Sequence, residues 1–190
     1  MSARSAGRWA ALLTALFMSV AQAQLEERVK SCAVCHGTDG NSVKADIPSI
    51  AGQPKIFLEN YLVMTREGIR GSDDMQGLLK GLPDREIVAL AAHYSRLPAI
   101  PIENKVDTEL YERGQQIAAK SHCGSCHLSN FRGQQQMPRL AGQREDFLAE
   151  VMLAYRQNRR PGGDTMMSAA LYGIPEADFK ALAHYFSRLK

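Results

Sequence analysis

All four cysteines of this 190-residue chain fall in two runs of one pattern, Cys32-Ala-Val-Cys35-His36 and Cys123-Gly-Ser-Cys126-His127. Two thiols three residues apart, followed at once by an imidazole, suit the covalent attachment of haem. On one helical turn both thiols reach the vinyl groups of a porphyrin, and the next side chain presents a nitrogen to the iron. Three other chemistries compete. Structural zinc takes four ligands from one compact pattern, whereas each pair here has its own histidine. A thioredoxin-like redox pair needs alternating strands and helices, which the chain lacks. Disulfides across the two runs leave both histidines unexplained. The spacing therefore assigns Cys32 and Cys35 to one haem c with His36 on its iron, and Cys123 and Cys126 to a second haem c with His127.

An iron held by histidine alone keeps an open position that binds gas or peroxide; a second protein ligand closes it and leaves electron transfer. Of eight methionines, Met75 and Met167 coincide when the sequence is shifted by 92 residues, each seven residues before Leu82 or Ile174. A loop is expected there, free to bring a thioether to the iron face opposite the histidine. Met75 and Met167 are thus the axial candidates, with Met166 as the alternative to its neighbour. Met64 and Met152 sit in apolar helical stretches and read as core, while Met137 stays open. In the 92-residue register of the closing helices His93 and His184 do not meet, and His122 meets no histidine either, which favours packing or surface roles. Methionine opposite histidine stabilises reduced iron relative to a pair of histidines, so the expected activity is the passage of single electrons.

The elements that must position these groups are repeated too. At shifts of 90 to 92 residues Pro48-Ser-Ile-Ala-Gly-Gln53 meets Pro138-Arg-Leu-Ala-Gly-Gln143, and Ala89-Leu-Ala91 meets Ala181-Leu-Ala183. Each copy reads as a short helix into the cysteines, a turn-rich loop, a helix over Lys55 to Met64 or Arg144 to Arg156, and a last helix near Pro83 or Pro175. Proline at the first turn with Asp84 and Glu86, or Glu176 and Asp178, is a favourable helix start. No run alternates as a strand does. The prolines of Leu97-Pro-Ala-Ile-Pro-Ile102 mark a stiff connector between two small all-helical domains.

The first residues carry Arg4 and Arg8, an apolar run from Trp9 to Val20, then Ala21-Gln-Ala23, the pattern of a cleaved secretory leader. The run is shorter than the roughly 20 residues that span a bilayer. The expected organisation is a leader over residues 1–23, a first domain over 24–97, a linker over 98–106 and a second domain over 107–190, with no transmembrane segment in the mature chain. Losing the leader leaves 21 basic residues against 20 acidic ones, a balance that does not indicate a nucleic-acid partner. The densest basic stretch, Arg156, Arg159 and Arg160, reads either as a solvated helix end or as a group that neutralises haem propionates or guides an acidic partner.

Cys32-Ala-Val-Cys-His-Gly-Thr-Asp-Gly-Asn-Ser42, the two Pro-x-x-Ala-Gly-Gln segments, Met75, Met167 and the Leu/Ala-rich closing helices together resemble the dihaem cytochromes c of the cytochrome c4 type, including the related cytochrome subunit of flavocytochrome c sulfide dehydrogenase. The resemblance covers nearly the whole mature chain. It implies two tandem class I cytochrome c domains, with the carbonyl of Pro48 or Pro138 accepting the Nδ1 proton of His36 or His127. It also implies a periplasmic electron-transfer protein rather than an enzyme. The expected partners are a membrane respiratory complex, a terminal oxidase or a flavoprotein dehydrogenase. Departures from the pattern are the absence from the first domain of a counterpart to Gly114, and the replacement of Gly37-Thr-Asp-Gly40 by Leu128-Ser-Asn-Phe131 in the second. The truncated first helix, Gly40-Asn-Ser-Val43 and Arg159-Arg160-Pro161 look like the sulfide dehydrogenase subunit, which is the second assignment.

Overall fold

The computed structural model describes residues 22–101, 105–163 and 165–190. The expected leader lies outside them except for Gln22 and Ala23. Helices begin where the chain supplies caps. Ser72 accepts the N–H of Met75 at the start of one helix, and the Asp107 side chain accepts that of Leu110 at the start of another. Pro83 precedes a helix whose first turn carries Asp84 and Glu86, acids that complement its dipole.

The first half comprises α1 (22–36), α2 (Lys55–Arg66), α3 (Asp73–Leu79) and α4 (Asp84–Ser95). The second comprises α5 (Thr108–Lys120), α6 (Gly124–His127), α7 (Glu145–Arg156), α8 (Thr165–Leu171) and α9 (Phe179–Arg188), with a 3-10 turn at Glu176–Asp178. No strand occurs among the described residues, and one isolated bridge joins Gln134 to Met137. Apolar spacing explains which faces are covered: Ile87, Leu90, Ala91 and Tyr94 form one buried stripe of α4. That stripe packs on α2, and α9 packs on both α5 and α7. Leu58, Leu79, Leu82 and the α4 stripe make one apolar core; Leu148, Met152, Leu171, Phe179, Leu182 and Phe186 belong to a separate one. The expected all-helical, two-core architecture is what the chain forms.

The copies match in hydrogen bonding even where residue types differ. The Gly40 carbonyl accepts from the N–H groups of Ile50 and Ala51, as that of Phe131 does from Leu140 and Ala141. Gly52 N–H donates to the Tyr94 carbonyl, and Gly142 N–H to that of Phe186. Gly37 and Gly40 have φ of 84° and 77°, where glycine is unstrained. Their counterparts Leu128 and Phe131 take φ of 67° and 55° with side chains attached. Phe131 is compensated by burial against Tyr185 and Phe186, with ring centroids 5.8 and 4.8 Å away. Leu128, at ψ 159° and only half-buried, has no such offset. Gly114 is needed for a different reason: a Cβ there would lie 2.1 Å from the Ala181 carbonyl oxygen, so its absence lets α5 cross α9 closely.

The halves dock by a reciprocal pattern. Gln143 Oε1 accepts the Ser49 N–H at 2.8 Å and its Nε2 donates to the Ser49 carbonyl at 2.8 Å. Gln53 does the same to Arg139, with 2.9 Å to its N–H and 3.0 Å to its carbonyl. Arg144 donates to the Ser42 carbonyl, and the Asp46 N–H to the Asp146 carboxylate at 3.0 Å. Burial alone would raise the Asp146 carboxyl, but Arg144 and the N–H groups of Asp46 and Phe147 outweigh it and hold the group below the usual carboxylate range.

Two outcomes follow for stability. Leu128→Gly should stabilise the second half by about 1 kcal/mol, because the strain relieved exceeds the flexibility gained by the unfolded chain; denaturant unfolding measures it, and a loss of stability contradicts the strain. A carboxyl depressed on folding stabilises fully above its unfolded value and ceases to as pH falls through its folded one. Asp146→Asn should therefore cost about 1 kcal/mol near neutral pH, and the gap to the parent protein should close on acidification. A gap that persists in acid would contradict this origin.

Candidate functional site

Each Cys-x-x-Cys-His run lies at a helix end that turns its last residue inward. Cys32, Cys35 and His36 close α1; Cys123 leads into α6, which ends at His127. Both imidazoles are buried, each 7% exposed. His36 Nδ1 donates to the Pro48 carbonyl at 2.8 Å and His127 Nδ1 to that of Pro138 at 2.9 Å. A carbonyl only accepts, so the proton sits on Nδ1 and the Nε2 lone pair of each ring stays available. Burial pushes both imidazoles below their ordinary pKa, a displacement the proline carbonyls partly oppose, and keeps them neutral. A neutral ring with one nitrogen engaged is the form that ligates a metal, and the engaged bond sets its orientation and basicity.

No disulfide joins any of Cys32, Cys35, Cys123 and Cys126. Burial raises the Cys32 and Cys123 thiols, with the Tyr94 hydroxyl beside Cys32 partly opposing this. Among the described residues no three His, Cys, Asp or Glu side chains converge on a bare-metal site. Thiols and imidazole are strung along a helix end, an arrangement that suits a porphyrin's edge and centre better than a point ion.

Cys32 and Met75 border one apolar core, and Cys123 and Met167 the other. The loop expected around the methionines is not what forms. Met167 sits in α8, and Met75 sits in α3 because Ser72 caps that helix through the Met75 amide and acidic Asp73 and Asp74 occupy its first turn. Met166 is 73% exposed, while Met167 packs against the core. Met152 is core as expected. Met64 differs: it is half-buried, and its methyl would lie 3.2 Å from a Cβ placed on Gly162 of the other half, so it faces the docking surface. Met137 is half-buried in the isolated bridge.

The basic stretch is divided among local tasks. Arg156 donates to the Leu171 and Tyr172 carbonyls behind α8 and lies over the Tyr172 ring; Arg159 pairs with Glu150. Arg160 lies over the Tyr155 ring, and its counterpart Arg70 over Tyr61. The Nε atoms of Arg70 and Arg160 are buried without a hydrogen-bond partner among the described residues. Arg70 donates from its Nη2 to the Gly162 carbonyl, but a buried Nε without an acceptor in equivalent places of both halves fits an acidic group carried by a ligand, and haem propionates are such a group. His184 is buried, accepting the Asp107 N–H at Nε2 and donating from Nδ1 to Glu145. It pins the start of α5 to α7 and α9, a task that its lack of a counterpart concealed. Gln53 and Gln143 were visible only as repeated letters; their recurrence at one register was the signal of a shared job.

A Cytochrome c family model matches residues 111–190. Cytochrome c4 of Stutzerimonas stutzeri is 30% identical over 180 residues, covering 85% of this chain and 86% of its own length. The thiosulfate dehydrogenase electron acceptor of Stutzerimonas stutzeri (strain A1501) is 28% identical, covering 84% of this chain and 79% of its own. The crystal structure of reduced recombinant cytochrome c4 from Pseudomonas stutzeri superposes with a TM-score of 0.79 at 26% identity, over 88% of this chain and 97% of that one. With the doubled attachment motif, two helical cores and this likeness over most of both chains, the protein belongs to the cytochrome c4 family of electron-transfer proteins, with two covalently bound haem c groups.

Proposed function

We propose that this chain works in the periplasm, after loss of residues 1–23, as a carrier of single electrons, with one haem site in residues 24–97 and the other in 107–190, across a linker over 98–106. In the first site Cys32 and Cys35 form the thioether links and His36 and Met75 are axial; in the second, Cys123, Cys126, His127 and Met167 take these roles. The observation that carries the reading is the buried, Nδ1-bound histidine at the end of each Cys-x-x-Cys run, whose first cysteine borders the same core as the methionine. The bound haems supply reversible one-electron iron chemistry. The chain's own residues seat them. The cores would exclude water, the proline carbonyls hold the imidazoles, and the thioethers of Met75 and Met167 would favour the reduced state. The unpartnered Nε atoms of Arg70 and Arg160 would donate to the acidic groups of the bound haems.

Fitting partners are a membrane respiratory complex, a terminal oxidase or a flavoprotein dehydrogenase. No helix among the described residues is long and apolar enough to cross a membrane. A second reading, an acceptor bound to a sulfur-compound dehydrogenase, is favoured by the likeness to a protein named as a thiosulfate dehydrogenase electron acceptor. The flavocytochrome c subunit expected as the second assignment is one form of that reading. Co-purification separates them: a free dihaem protein selects the carrier, a bound dehydrogenase the acceptor.

The axial assignment has a spectroscopic test. Met75→Ala and Met167→Ala should each remove half of the weak sulfur-to-iron band at the red end of the oxidised spectrum, and Met166→Ala should leave it intact. Loss of the band in Met166→Ala with retention in Met167→Ala would move the second ligand by one residue.

A further inference from the structure

The glutamine exchange between the halves does more than dock them. A peptide group has two faces for hydrogen bonding, and the one joining Pro48 to Ser49 uses both. Its carbonyl accepts His36 Nδ1–H at 2.8 Å, and its N–H donates to Gln143 Oε1, across the domain boundary, at 2.8 Å. The peptide joining Pro138 to Arg139 is used identically: its carbonyl accepts from His127 at 2.9 Å and its N–H donates to Gln53 at 2.9 Å. A side chain of each half therefore ends a two-bond relay that begins on the histidine of the other.

Three features make the relay effective. Each glutamine is clamped at both ends, since its Nε2 also donates to the carbonyl of the residue whose N–H it accepts, which fixes the peptide plane. Gln53 and Gln143 are only 5% and 6% exposed, so solvent does not compete. And hydrogen bonds in series through one amide polarise each other: an acceptor on the N–H makes the carbonyl a stronger acceptor in turn. A stronger carbonyl draws on the Nδ1 proton, makes the imidazole more electron-rich and favours oxidised iron on its Nε2.

We propose that Gln53 and Gln143 are crossed positioning residues, Gln53 tuning the haem seated on His127 and Gln143 the haem seated on His36. The proposal rests on the assignment of these histidines as axial ligands. It makes domain docking itself part of the setting of each potential. A partner that disturbs the docked surface then alters both irons without touching either.

The test uses the full-length holoprotein. Gln53→Met and Gln143→Met retain approximate volume and remove the acceptor; Gln53→Glu and Gln143→Glu place a charged acceptor at the same point. Both midpoints are followed by spectroelectrochemical titration with haem NMR resonances assigned to each half, and the His Nδ1 proton shifts are recorded in the reduced state. Gln53→Met should raise the midpoint of the His127 haem and move the His127 Nδ1 proton upfield, leaving the His36 haem in place. Gln143→Met should do the converse. Glutamate should shift the same haem in the opposite direction and by more than it shifts the other. Shifts confined to the substituted half, equal shifts of both haems, or no shift overturn the proposal. Should the methionine variants undock the halves, as small-angle scattering would reveal, the glutamate pair carries the test. Absence of low-spin haem in the parent protein defeats the ligand assignment; low-spin haem with uncrossed shifts defeats the proposal alone.

Discussion

A buried imidazole proposed as an iron ligand has to place its other nitrogen's proton somewhere, and here that place is the carbonyl of a proline twelve or eleven residues on. Much else in the chain serves this bond. The turn after each Cys-x-x-Cys-His run brings the chain back over the ring, and the paired N–H groups that follow the proline by two and three residues are anchored to Gly40 or Phe131. The Pro-x-x-Ala-Gly-Gln segment then passes directly from the histidine's partner to the docking glutamine. The histidine bond and domain docking share one short stretch of backbone, used twice.

The two copies solve the same turn with different means. The first uses glycine where φ is positive and leaves space that Tyr94 and Ala51 approach. The second puts Phe131 there and gains an aromatic cluster with Tyr185, Phe186 and Tyr111. It also gains the α5 to α9 crossing that Gly114 permits, while α1 packs on the first core through Leu25, Val29 and Cys32 and pairs Arg28 with Glu86 of α4. Among the described residues the first half's apolar core holds fewer buried side chains than the second's, so a haem seated there would contribute more to its integrity.

Legibility in the sequence followed the range of the interactions. Local rules disclosed the attachment motifs, the buried stripe of α4 and the internal repeat, because cysteine spacing and apolar periodicity are properties of neighbouring residues. The loop expected at Met75 missed that Ser72-Asp-Asp is a helix start, a local signal overlooked in favour of the reach a loop would give. Nonlocal features were not legible. Nothing adjacent to Gln53, Met64 or His184 marks a partner many tens of residues away, and the split of the basic stretch into a ring contact, an ion pair and a backbone donor depends on which carbonyls the fold brings near.

The most direct measurement is NMR of the reduced holoprotein, diamagnetic when both irons are six-coordinate, with labelled histidine and proline. Two slowly exchanging Nδ1 protons should be seen, from His36 and His127, each showing scalar coupling across the hydrogen bond to the carbonyl carbon of Pro48 or Pro138. An Nδ1 that lacks its proton, exchanges freely with water or couples to neither carbonyl would contradict the bond around which both halves are built.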